Sequence, residues 1–361
     1  MTYICSVGTA MPPYEMTQQE IKPFIKDIFS LTDRESAKFF PVFDNTLVKK
    51  RQFAADPSWF KNTHTFKESN DLYQQSAKIL SLEAIDECLS NKDFLEKDIP
   101  YEAIDMIIFV SSTGLSTPSI DAHLMNERPF KASVQRMPLW GLGCAGGAIG
   151  LSRAHDFITA NPDKAALIVC CELCSLTFQK TDRKKSNIIG TALFGDGVAA
   201  SIAIGKDSPL RSCSKNNIPQ IKNTSSSTKK NSQDVMGWEI SNNGLEVVFS
   251  KSIPVLISTF WKEHITHFLE ENELSESKIH SFIAHPGGKK VLEEMEKVLQ
   301  ASGNKFKHSY QVLADHGNMS SATVLYVLKN WMKEKVDKNE KSIISAMGPG
   351  FSSELLLMEW G

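Results

Sequence analysis

The sequence predicts an α/β protein built from two similar halves, and three observations carry that prediction. Short apolar runs of strand length alternate with segments of helical spacing along all 361 residues. Two stretches also recur at nearly one offset. AIDMIIFVSSTG resembles KIHSFIAHPGG, which sets Ile104 over Ile279, 175 residues apart. CAGGAIGLSRAHDFI resembles NMSSATVLYVLKNWM, which sets Cys144 over Asn318, 174 residues apart. A third pair, FGDGVAASIAI and GPGFSSELLLM, follows each unit at a shorter offset. The halves are expected at residues 1–210 and 211–361, with their polar residues converging near the seam.

The elements follow in order. Tyr3–Val7, Ile104–Val110, Ala165–Cys171 and Gly197–Ile204 read as strands of the first half; Ile279–Ala284, Ser342–Met347 and Glu354–Glu359 read as strands of the second. Thr17–Phe29, Tyr73–Leu89, Val255–Leu269, Lys289–Gln300 and Ala322–Met332 carry helical spacing. The polar stretch Lys215–Gln233 reads as a surface excursion between the halves.

Composition excludes several classes. Apolar residues make up 41% of the chain, enough for a large core, and the formal charge is −2, without the basic surplus of a nucleic-acid binder. No run of about 20 apolar residues is present, so no membrane span is expected. The start, MTYICSVGTAMPPY, lacks a secretory pattern. The seven cysteines lie mostly in strand-like runs, which fits a reducing, cytoplasmic setting better than a disulfide framework. Cys171-Glu-Leu-Cys174 lacks the second ligand pair that a zinc site needs, so no metal is expected.

Three segments carry chemistry. In Trp140-Gly-Leu-Gly-Cys144-Ala-Gly-Gly a Gly-rich turn opens a helical pattern, so Cys144 is expected at a helix start. Free N–H groups there favour a thiolate, and the glycines admit a bulky thioester. Gly141, Gly143 and Gly146 also match G-x-G-x-x-G, but no acidic residue ends a second strand about 20 residues later, as a dinucleotide site requires. In Ala284-His285-Pro-Gly-Gly288 a histidine ends a buried strand and glycines leave room beside it. Asn318 precedes the helix Ala322–Met332, where a helix cap is the plain alternative; His316 is a competing base. A cysteine, a histidine and an asparagine at converging element ends suit thioester chemistry: a thiolate attacks an acyl thioester, while imidazole and carboxamide N–H groups stabilise an enolate oxygen.

WGLGCAGGA, AHPGGKK, HGNMSSA, LFGDGVAA and GPGFSSE resemble the conserved blocks of type III polyketide synthases, the chalcone/stilbene synthase superfamily, and the bacterial members above all. The resemblance implies a thiolase-like αβαβα five-layer fold and a homodimer. It implies no cofactor beyond the CoA thioesters used as substrates. An acyl-CoA starter would load on Cys144 and be extended with malonyl-CoA by decarboxylative Claisen condensation, His285 and Asn318 assisting. Phe194 matches a gatekeeper phenylalanine; Thr113, Cys174, Thr177, Gly190 and Ser320 match pocket positions. Gly348, Pro349, Gly350 and Phe351 match the loop that shapes the cyclisation cavity. A second gatekeeper position falls on Val247, with Phe249 close by. Lys38 matches one CoA-phosphate cation, Pro41 and Asn45 replace two others, and Lys49, Lys50 and Arg51 offer substitutes beside Gly287 and Gly288. Small groups at Cys174 and Val247 point to a long aliphatic starter and a pyrone or resorcinol product. The alternatives are a ketoacyl-carrier-protein synthase III-like enzyme, which performs one condensation, and a non-catalytic lipid-binding subunit.

Overall fold

A computed structural model describes residues 1–215 and 218–361; Asn216 and Asn217, within the polar stretch singled out above, lie outside the described residues. The first half contains β1 (Thr2–Ala10), β2 (Tyr14–Thr17), α1 (Gln18–Ile28), α2 (Asp33–Asp44), β3 (Lys50–Phe53), α3 (Phe66–Ser90), β4 (Met106–Val110), α4 (Ile120–Glu127), β5 (Gln135–Leu139), α5 (Gly146–Ala160), β6 (Ala165–Leu173), α6 (Lys185–Leu193) and β7 (Asp196–Gly205). The second contains β8 (Pro219–Thr228), β9 (Met236–Ser241), β10 (Gly244–Phe249), α7 (Ile253–Leu256), α8 (Lys262–Glu271), β11 (Ile279–Ala284), α9 (Lys289–Leu299), α10 (Lys307–His316), α11 (Thr323–Met332), β12 (Lys341–Gly348) and β13 (Ser352–Trp360).

Sheet order makes the duplication visible. Nine strands run β11-β12-β13-β8-β1-β7-β6-β4-β5. In the first half β4 lies parallel to β6, which is antiparallel to β7, itself antiparallel to β1. The second half repeats this with β11, β12, β13 and β8. Within this sheet, the described residues of the two halves pair where Thr2 and Tyr3 meet Ile221 and Gln220. α5 packs against strands of both halves, as does α11, so these two helices form the middle layer. α3 covers β1, β6 and β7 on one outer side, and α8 and α10 cover β13 and β11 on the other. Hence β4, β6 and β7 are buried at every residue, as strands covered on both faces must be.

Two expectations change. Pro219–Thr228 is the strand β8, not a surface excursion. It pairs with β13 along its length but with β1 over two residues, so most of it is a sheet edge, where Ser and Thr side chains suit a half-solvated face. The expected helix Val255–Leu269 is α7 and α8 joined through a π-helical turn at Ile257–Trp261. No helix among the described residues is long and apolar enough to cross a membrane.

Candidate active site

The site is built on two facing helix starts. A 3-10 turn, Gly143–Ala145, leads into α5, and a second, Ser320–Ala322, leads into α11. Gly143 (φ 48°) and Ser320 (φ 47°) open these turns with the same left-handed backbone. The structural offset is therefore 177 residues, from 143 to 320, and Cys144 corresponds to Ser321 rather than to Asn318. The earlier pairing of Cys144 with Asn318 slips by three residues, because motif similarity follows side chains and the turn is defined by backbone. The helix starts do face each other: a Cβ on Gly147 would stand 2.2 Å from the Ser321 carbonyl oxygen. Only glycine allows that approach.

Cys144 and Asn318 meet. The Cys144 thiol donates to Asn318 Oδ1 at 3.8 Å. The same oxygen accepts the Ser320 N–H at 2.8 Å, which fixes the carboxamide so that Nδ2 is its free donor. The backbone of Asn318 is clamped by the end of α6: its N–H donates to the Leu193 carbonyl at 2.9 Å and its carbonyl accepts the Gly195 N–H at 3.0 Å. Asn318 is not the N-cap residue of the turn or of α11, which are Met319 and Ala322; its side chain closes a local turn onto the Ser320 N–H.

His285 follows β11, and its N–H donates to the Ser345 carbonyl of β12 at 2.8 Å. β12 ends at Gly348, where a Cβ would stand 2.5 Å from the Leu142 carbonyl oxygen and 2.7 Å from Ala145 Cβ, beside the cysteine turn. Both ring nitrogens of His285 and Nδ2 of Asn318 are buried without any hydrogen-bond partner. Buried polar atoms are nearly always paired, so each of these orphans is left open to a polar partner. Burial holds the His285 pKa down at about 3 and pushes the Cys144 thiol up to about 12. Burial disfavours the charged form of each group, and for Cys144 it outweighs the thiolate preference expected at the helix start. Behind Cys144, the buried Glu172 accepts from Ser321 Oγ at 2.6 Å and from the Ser112 N–H at 3.0 Å; burial raises its pKa to about 7.

The pocket positions divide. Cys174, Thr177, Gly190, Phe194 and Val247 line one apolar cavity together with Ile21, Phe24 and Ile28 of α1 and with Phe60 and Trp238. Thr113 lines an adjoining polar recess that shares Thr177, and its hydroxyl accepts the Leu173 N–H. Ser320 lies beside Cys144. Pro349 packs over Gly143, where a Cβ would stand 2.7 Å from its Cδ. Gly350 accepts from Ser232 Oγ at 2.7 Å. Phe351 is wholly buried in the second-half core, edge-on to Phe260, and does not line the cavity. Lys38 and Lys49 are exposed, while Gly287 and Gly288 are partly exposed in the loop after His285. Lys50 pairs with Glu15. Arg51 is fully buried and cannot serve as a surface cation for CoA phosphates. His316 bonds Gln52 at 2.9 Å.

Sequence reasoning named Phe249 only as a neighbour of Val247 and missed two contributors, Trp238 and the α1 wall. Phe249 stacks on Phe194 with ring centroids 5.6 Å apart, and Trp238 lies 6.3 Å from the same ring. Alternation along β10 puts positions 247 and 249 on one face, which was the available signal. The α1 wall carried a helical signal, but nothing in the sequence tied it to the cavity.

The comparisons with known proteins identify the family. Residues 1–208 match the N-terminal domain of chalcone and stilbene synthases, and residues 220–360 match their C-terminal domain. The chain belongs to the chalcone and stilbene synthase family. It is 44% identical over 361 residues, covering 100% of this chain and 99% of the other, to a Bacillus subtilis (strain 168) protein whose name assigns it provisionally to the chalcone synthases. It is 32% identical over 360 residues to 1,3,6,8-tetrahydroxynaphthalene synthase of Streptomyces peucetius subsp. caesius, covering 99% of this chain and 93% of the relative. The crystal structure of 1,3,6,8-tetrahydroxynaphthalene synthase from Streptomyces coelicolor A3(2), a bacterial type III polyketide synthase, superposes with a TM-score of 0.91 at 26% identity, with 99% of each chain covered. The fold is thus thiolase-like, and the protein is an acyltransferase of the type III polyketide synthase kind.

Proposed function

We propose that this synthase loads a long-chain fatty acyl-CoA on Cys144, extends it with malonyl-CoA and releases a pyrone or resorcinol-type product. The sulfur of Cys144 attacks the starter carbonyl; the C–S bond to CoA breaks, and CoA leaves as its thiol with the proton from Cys144. Malonyl-CoA then loses CO2, and the electron pair of the broken C–C bond becomes an enolate. A His285 N–H and Asn318 Nδ2 donate to its oxygen. The enolate carbon attacks the acyl-Cys144 carbonyl, and the thiolate leaves. A neutral histidine keeps one N–H to donate, and burial keeps His285 neutral.

One observation carries the choice of donors: the orphaned nitrogens of His285 and Asn318. The aliphatic starter rests on the cavity wall, where Ile21, Ile25, Ile28 and Val247 face the space with few polar groups. Exposed Lys38 and Lys49, with Gly287 and Gly288, are assigned to the CoA end. We assign the two halves to residues 1–210 and 211–361 and place the protein in the cytoplasm, where seven free cysteines are stable. We further assign a homodimer through β5, an edge strand flanked by Leu115 and Trp140, which are 39% and 47% exposed.

Mass spectrometry of products from a panel of C6–C18 acyl-CoAs and p-coumaroyl-CoA, with malonyl-CoA as sole extender, tests the reading. Alkyl-pyrone or alkyl-resorcinol masses from the long chains are expected. Exclusive use of the aromatic starter would reject the aliphatic assignment, and a requirement for carrier protein would reject the polyketide one.

A further inference from the structure

Arg51 is a charged side chain with no exposure at all, on β3 at the edge of the cavity. Its Nη1 donates to two carbonyls, Thr191 O and Phe194 O, both at 2.7 Å, and its Nη2 donates to Gln18 Oε1 at 3.1 Å. The two carbonyls lie at the C-terminal end of α6, where orphan acceptors and the negative dipole end favour a cation. The Phe194 carbonyl belongs to the peptide that it shares with the Gly195 N–H, and Leu193 and Gly195, the neighbours of Phe194, hold the backbone of Asn318 from either side. The aliphatic stem of Arg51 fills the rest: a Cβ on Gly317 would stand 2.8 Å from Arg51 Cδ, and one on Gly195 would stand 3.5 Å from Arg51 Cβ. Asp196 supplies the counter-charge, itself held by the Ala54 N–H at 2.8 Å and the Ser175 N–H at 2.7 Å.

We propose that Arg51 is a positioning residue: its guanidinium clamps the end of α6, and through that clamp it fixes the Asn318 carboxamide that faces the enolate. A lysine keeps the charge but offers a point donor in place of a planar fork, so it cannot hold two carbonyls and Gln18 in one geometry. Acyl loading depends on Cys144, whose turn Arg51 does not touch; malonyl decarboxylation depends on Asn318, whose backbone it does hold. Displacing a donor by about 1 Å costs up to about 100-fold in rate.

The inference rests on the roles proposed above for Cys144 and Asn318, and the test separates the two. Starter loading is followed by intact-protein mass, and decarboxylation by acetyl-CoA formed from malonyl-CoA, in wild type, Arg51→Lys and Arg51→Ala. Wild type that neither loads on Cys144 nor decarboxylates defeats the underlying reading. With wild type active, Arg51→Lys is expected to lose about 10- to 100-fold in decarboxylation kcat, with KM for malonyl-CoA and the loading rate changed less than about two-fold. Added guanidinium is expected to restore part of the decarboxylation lost in Arg51→Ala; Arg51→Lys alone decides when that variant does not fold. Equal losses in loading and decarboxylation, an unchanged Arg51→Lys, or failure of Arg51→Lys to fold would each overturn the assignment.

Discussion

Cys144 and Ser321 occupy the same backbone position in the two halves, and their surroundings differ in a telling way. Each is the second residue of a 3-10 turn that opens with a left-handed residue and runs into a middle-layer helix. Ser321 is satisfied: its hydroxyl donates to Glu172 at 2.6 Å. Cys144 has a long sulfur contact to Asn318 Oδ1, with Ser320 beside it, and the side-chain nitrogens of His285 and Asn318 have no partner. The duplicated scaffold therefore makes one polar junction that is closed and one that is left open. Complete pairing rigidifies a core; withheld pairing leaves donors for a substrate oxygen.

The sharpest way to break this comparison is to truncate both equivalent residues. Cys144→Ala is expected to abolish polyketide formation, while Ser321→Ala keeps most turnover and loses about 1–2 kcal/mol of stability for the lost bond to Glu172, read by product mass and denaturant melts. Comparable losses of turnover would erase the distinction. Next comes Asn318→Ala, expected to cut malonyl-CoA decarboxylation by about 10²–10³ while sparing acyl loading, read by the two half-reactions separately. Normal decarboxylation would remove Asn318 from the site.

The smallest effect sharpens the closed side. Burial raises the Glu172 pKa to about 7 from an ordinary 4.5. Between those values the folded state binds a proton that the unfolded state has released. Stability from this group is present at low pH and lost as pH rises through about 7. From pH 5 to pH 8 the wild type is expected to lose about 2 kcal/mol more than Glu172→Gln, measured by urea unfolding at each pH. Parallel profiles would mean that Glu172 is ionised throughout.

Much of this arrangement was legible in the chain. The runs Ile104–Val110 and Ala165–Cys171 announce strands because burial on both faces demands mostly apolar residues. β8 stayed hidden because an edge strand tolerates the Ser/Thr composition of a loop. The catalytic candidates stood out because glycines and a proline frame them, yet their register slipped by three residues, since sequence similarity cannot see a φ angle. Arg51 was misread for a different reason: a cation in the run Lys49-Lys50-Arg51 looks solvated, and only its bonds to the end of α6 and to Gln18 hold it inside, where Lys50 is half-buried and Arg51 wholly buried. The fate of Phe351 was equally unreadable, because the turn between β12 and β13 decides whether that ring meets the cavity or the core.

The most direct measurement is the mass of the acyl-enzyme. Wild type incubated with a starter acyl-CoA and no extender, then digested and mapped, is predicted to carry the acyl group on the peptide containing Cys144 and to discharge it when malonyl-CoA is added. Products forming with no acyl group on that cysteine, or with the group on another residue, would contradict the account.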